Sequence, residues 1–220
     1  MHDTLSPRQA RTMLELQTAM NSKVDPDWLN AGYPYLRAVL VEASEAIEHH
    51  GWKWWKNQTL DLPQLQMEVI DIWHFLMSEV LLRAKGDLET SLTQIIQPTN
   101  SDSLLFDGRE WQLGGLSLLE KLELLTATAA ARRIELPLFE HIMRDCEMSW
   151  NELFRQYVGK NVLNFFRQDH GYKQGSYQKL WHGREDNEHL VEVMGGLSAE
   201  TDDYPARLYQ ALLERYPASH

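Results

Sequence analysis

Two stretches, VEASEAIEHHGWKWWK at residues 41–56 and MEVIDIWHFLM at residues 67–77, decide how this chain is read. Each sets an acidic pair spaced by three, Glu42 with Glu45 and Glu68 with Asp71, among Val, Ile, Ala, Trp and Phe. At 100° per residue Leu36, Leu40, Ala43 and Ile47 form one stripe of a helix, and Leu65, Val69, Ile72, Leu76 and Val80 form the same stripe on the next. The acids lie off these stripes, beside Ala38, Val41 and Ala46 on the first helix and Phe75 and Leu82 on the second. Both helices are therefore apolar on two flanks, and the sequence predicts that both are largely buried. A short connection lets them pack antiparallel. Burying an ionised carboxylate without a partner costs several kcal/mol, so four in one place require cations or strong basic partners. A spacing of three brings both acids of a pair to one side of the helix. Mg²⁺ suits such a donor set: it is hard, takes carboxylate oxygens, keeps water, and binds phosphates at its remaining positions. No cysteine or paired-histidine constellation competes for a softer metal.

Composition narrows the function. The chain has 220 residues, 43% of them hydrophobic, and a formal charge of -11, which repels a nucleic-acid polymer or an anionic membrane surface. Cys146 is the only cysteine, so no intrachain disulfide forms and a reducing, cytoplasmic setting is expected. No apolar run approaches membrane-spanning length, and MHDTLSPRQARTM lacks the apolar core of a signal peptide.

Helix punctuation dominates the rest. Ser6 before Pro7 opens a helix to about Asn21, and Asp25 with Pro26 repeats the device near Trp28. A helix from Tyr33 or Pro34 to His50 stops at Gly51, and another from about Pro63 to Lys85 stops at Gly86. Residues 97–115, ending in PTNSDSLLFDGREWQLGG, have no sustained period and are expected to be a loop or insertion. Helical spacing resumes over Leu116 to Arg133, Leu138 to about Phe166 with a candidate break at Gly159, Glu185 to Met194, and Arg207 to Arg215. No alternating run bounded by hairpin turns is visible. The expected fold is all-α, a helical bundle built around the antiparallel pair, in a single domain over 1–220.

The pattern Glu-x-x-Glu, then GWKWWK, then Glu-x-x-Asp resembles the all-α dUTP pyrophosphatases, the dimeric dUTPase family, and more distantly the wider MazG-type nucleoside triphosphate pyrophosphohydrolases. NVLNFFRQDHGYKQGSYQKLW at 161–181, EDN at 185–187 and LQTAMN at 16–21 are similar to the narrower family's other signature segments. The resemblance implies that Glu42, Glu45, Glu68 and Asp71 are Mg²⁺ ligands for two or more ions. Gln17 and Asn21 would hold the uracil edge and deoxyribose, and Trp55 would lie against the nucleoside. Asn164, Arg167, His170, Tyr172, Lys173, Tyr177 and Asn187 would approach the phosphates and sugar. It also implies a homodimer that hydrolyses dUTP, and possibly dUDP, to dUMP. Glu45 is the favoured base for the attacking water. Two rivals stand beside this expectation: a MazG-like pyrophosphohydrolase of other or broader nucleotide range, and a helical interaction protein whose acids are salt-bridged.

Overall fold

Caps set the helix boundaries. Ser6 accepts the Gln9 amide on its hydroxyl while the Gln9 side chain returns to the Ser6 amide, and this capping box starts α1 (Pro7–Val24). The computed structural model describes residues 3–97 and 101–217. After the short α2 (Trp28–Ala31) comes α3 (Tyr35–His50), closed by Gly51 at φ 85°. Asp61 caps α4 (Leu62–Arg83), which ends where Gly86, at φ 81°, donates its amide to Leu81 O. The chain continues through α5 (Leu88–Ile96), α6 (Leu118–Ala130), α7 (Leu136–Asp145), α8 (Trp150–Asp169), α9 (Asp186–Gly195) and α10 (Tyr204–Arg215). Only two small antiparallel hairpins interrupt this all-α order among the described residues. They are β1 (Ser103–Phe106) with β2 (Arg109–Gln112), and β3 (Leu180–Trp181) with β4 (Arg184–Glu185).

The backbone clusters into two compact units, residues 1–153 and 154–220. In the first, α4 forms the centre: Leu65, Val69, Ile72, Trp73, Leu76 and Met77 are fully buried. Trp73 stacks on Phe139 at 4.9 Å between ring centroids and meets Trp150 edge-on. α3 packs on α4 and α6, and α1 on α4 and α5. The second unit has its own core of Phe166, Trp181, Tyr204, Leu208 and Leu212. No described helix is long and apolar enough to cross a membrane.

Three local expectations change. The stretch 97–115 carries the β1–β2 hairpin, turned by Asp107 and Gly108 at φ 51° and 71°; its residues 98–100 lie outside the described residues. Both turn residues sit in the left-handed region, which an Asp-Gly pair tolerates. The break expected at Gly159 falls instead at residues 146–149, where Glu147 takes φ 58°. Gly159 lies inside α8, and a Cβ there would run into the Met194 sulfur. Its lack of a side chain serves packing. Finally, α3 is apolar on two flanks but buried on one: Leu36, Val39, Ala43 and Ala46 are buried, whereas Val41 and Glu45 are exposed.

Candidate active site

The acidic pairs are assembled by the α3–α4 pair. Asp61 N donates to His49 O at 2.9 Å at one end, and Glu42 meets Glu68 and Asp71 further along. As the α3 number falls the α4 number rises, so the helices run antiparallel. One carboxylate oxygen from each of Glu42, Glu68 and Asp71 lies within 4.8 Å of the other two. Glu68 is buried, and Glu42 and Asp71 are half-buried. Glu45, one turn from Glu42, is exposed and stands outside this group of three.

The charges resist one another. Burial, a hydrogen bond with Glu68 and the nearby charges of Asp71, Glu68 and Glu45 push the Glu42 carboxyl up to about 7. A group held partly protonated by its neighbours is a place where positive charge is missing. Three convergent hard oxygens with no sulfur ligand fit Mg²⁺ or a similar divalent cation.

Beside the acids lies a buried polar network that joins the two residues expected to hold the uracil edge and deoxyribose to α4. Gln17 and Asn21 are both buried. Gln17 Nε2 donates to Asn21 Oδ1 at 2.9 Å, and Asn21 Nδ2 donates to Ser78 Oγ at 3.2 Å. His74 Nδ1 stands 2.9 Å from Gln17 Oε1, the arrangement in which the ring N–H donates to the amide oxygen. Asp71, His74 and Ser78 follow one another along α4 at spacings of three and four, so acids and network share one side of that helix. A cavity of about 390 Å³ opens against Glu42, lined also by Tyr33, Tyr35, Arg37, Ala38, Val41 and Phe75. Burial pushes Tyr35 up to about 12, so it stays a neutral phenol.

Trp55 lies in the connection between α3 and α4. It is 59% exposed and meets Trp52 and Trp54 edge-on at 5.2 and 4.5 Å. Trp52 is tied back by its indole N–H to Glu48 Oε1 at 2.7 Å.

In the second unit the signature segment converges on a residue the sequence reading did not select. Asp186 is fully buried and takes Arg167 in a fork, Nε at 2.8 Å on one oxygen and a terminal nitrogen at 2.9 Å on the other. Tyr177 donates its hydroxyl to Asp186 at 2.8 Å, and Arg167 also reaches Asn164 and Asn187 at 3.3 and 3.4 Å. Burial raises the Asp186 carboxyl, but the hydrogen bonds from Arg167 and Tyr177 outweigh it and hold the group below the usual carboxylate range. Four of the expected residues, Asn164, Arg167, Tyr177 and Asn187, therefore meet. His170 instead stacks on Phe166 and bonds its carbonyl at 2.8 Å, while Tyr172 and Lys173 are exposed on the following turn.

Asp186, His49, His74 and Ser78 escaped the sequence reading. His74 and Ser78 carried a usable signal, since they continue the spacing of Glu68 and Asp71 along one side of the helix. Asp186 lies inside the EDN string, where no spacing marks it off from its neighbours.

An all-α chain that draws three carboxylates of a helix pair to a point, next to a buried amide network, has the makings of a cation-dependent enzyme for a polar ligand. The dUTPase family model matches residues 9–172, most of the chain, and the protein belongs to that family in its all-α form. It is therefore a dUTP diphosphatase, an enzyme that hydrolyses dUTP. The match takes in both acidic pairs, Gln17, Asn21, Trp55 and Arg167, and stops before Lys173, Tyr177 and Asn187. A comparison with curated proteins finds no match.

Proposed function

We propose that this dUTPase is magnesium-dependent, cleaves dUTP to dUMP and pyrophosphate, and also takes dUDP, releasing phosphate. The observation that supports it most is the meeting of Glu42, Glu68 and Asp71. Those three, with Glu45 completing the set, would hold two or more Mg²⁺ ions. Held by these residues, such a metal would supply charge neutralisation at the phosphates and a more acidic water. Glu45 is the catalytic base: the one exposed acid of the four, it can accept a proton from the attacking water. Gln17 and Asn21 hold the uracil edge and the deoxyribose. An amide offers both a donor and an acceptor, and its direction is fixed by His74 and Ser78, so uracil and cytosine, which present opposite groups at position 4, are told apart. Trp55 lies against the nucleoside. Arg167 and Lys173 supply positive charge to the phosphate chain, with Asn164, His170, Tyr172, Tyr177 and Asn187 completing contacts to phosphates and sugar. The protein acts as a homodimer in the cytoplasm.

A panel of dUTP, dUDP, dCTP, dTTP and UTP with Mg²⁺, resolving pyrophosphate from orthophosphate, tests the substrate. Comparable rates on all the triphosphates would favour the broader MazG-like activity. Glu45→Gln is expected to keep the melting temperature while lowering kcat by two orders of magnitude or more, on the order of what a lost general base costs. Wild-type turnover by that variant ends the assignment of the base.

A further inference from the structure

We propose that His49 is a positioning residue of the cation site, acting through Glu68. The inference rests on the reading that Glu42, Glu68 and Asp71 hold a divalent cation. His49 Nε2 lies 3.4 Å from Glu68 Oε1, and the ring is about one-third exposed. It is not among the groups whose ligand atoms converge, so it touches Glu68 from outside the carboxylate cluster. Helix geometry places it there. Seven residues after Glu42, it projects only about 20° away from it around α3, and on the antiparallel partner it falls opposite the earlier of the two α4 acids.

The backbone at this point is fixed from both helices. His49 O accepts the Asp61 amide at 2.9 Å, and the Asp61 side chain accepts the Gln64 amide at the first turn of α4. The imidazole is thus carried on the junction that sets the spacing of the two helices. Its task follows from the charges around Glu68. That carboxylate is buried and faces Glu42 and Asp71, so mutual repulsion works against the convergent arrangement it holds. The His49 ring nitrogen, 3.4 Å away and within ion-pair range, is placed to close onto it and hold it there. Carboxylates that bind metals are commonly supported in this way by an outer hydrogen-bond partner. A neutral ring suffices, so the role requires no change of protonation.

The test is calorimetric titration of Mg²⁺ and Mn²⁺ into the full-length chain without nucleotide, for wild type, His49→Ala, His49→Gln and Glu68→Gln. His49→Ala is expected to weaken cation binding by about tenfold or more, in line with the loss of an outer partner. Its melting temperature in chelator should match wild type, and its kcat should recover at saturating Mg²⁺. His49→Gln, which brings an N–H donor back, should recover most of the affinity. Wild-type affinity in His49→Ala overturns the proposal, as does a His49→Gln variant no better than the alanine. If Glu68→Gln binds cations as the wild type does, the carboxylate reading itself fails, and the two failures are distinguishable.

Discussion

At the scale of single residues, Glu42 carries the clearest consequence. Its carboxyl titrates near 7 in the folded chain against 4.5 ordinarily. Between those values the folded state holds a proton that the unfolded state has released, so the free energy of unfolding falls as pH rises across that window. Below it both states are protonated, and above it both are ionised with the loss complete. A divalent cation bound as proposed would compete with that proton and supply the missing positive charge. Melting curves in chelator from pH 5 to 8 should therefore decline in a way that added Mg²⁺ removes, and Glu42→Gln should flatten the chelator profile. A wild-type profile in chelator identical to that of Glu42→Gln would show that the neighbouring acids do not reach this group. The sequence exposed the chemistry of these acids through spacing and apolar surroundings, but not their division of labour. Glu42 and Glu45 are equivalent by pattern, and only the placement of α4 draws one into the cluster and leaves the other in solvent. The same limit explains His49 and Asp186, whose partners lie 19 residues away in sequence on another element.

Among the elements, the helices were legible because their ends are written in caps: Ser6 with Gln9, Gly51 and Gly86 stand at observed boundaries. What escaped was short or set by packing. α5 needs only nine residues and an Asp87 cap, below the length at which a hydrophobic period stands out. The β1–β2 hairpin rests on one Asp-Gly pair between strands of four residues. Gly159 reads as a breaker until Met194 is placed against it. The joint between α8 and α9 yields a prediction at this scale. Arg167 on α8 forks onto Asp186 at the start of α9, and the carboxylate has no exposure to water. Removing one partner of a buried pair leaves an uncompensated charge and costs about 3–5 kcal/mol, whereas apolar residues of similar volume at both positions are often neutral. Asp186→Asn should shift the urea midpoint strongly downward, and the double variant Arg167→Met with Asp186→Leu should restore it. If the double variant is as unstable as the single one, the fork owes its worth to shape and hydrogen bonding rather than to charge balance. Because Asp186 is held below its ordinary value, its contribution is present above pH 3.8 and is lost as pH falls through the depressed value.

For the molecule as a whole, charge and exposed apolar surface pull in opposite directions. A chain of 25.7 kDa with a formal charge of -11 repels its own copy. Yet Val41 on the outer flank of α3, Trp54 and Leu60 in the connection, and Met67 on α4 all lie open to solvent, with Trp54 85% exposed. Exposed apolar side chains on one helix pair are what an interaction surface would use, and the proposed homodimer would cover them. Repulsion between like-charged copies is screened over about 8 Å at physiological ionic strength, while apolar burial does not weaken with salt. The two forces make a joint prediction. Sedimentation equilibrium should find a dimer whose dissociation constant falls as NaCl rises from about 50 to 500 mM, because the Debye length shortens severalfold over that range. Val41→Lys should shift the equilibrium to monomer by placing an ammonium in the apolar contact, where burying an unpaired charge is costly. A dimer that loosens with salt would mean that ion pairs hold the copies together. A chain that stays monomeric at all salt concentrations would leave the open flank of α3 without the occupant proposed for it.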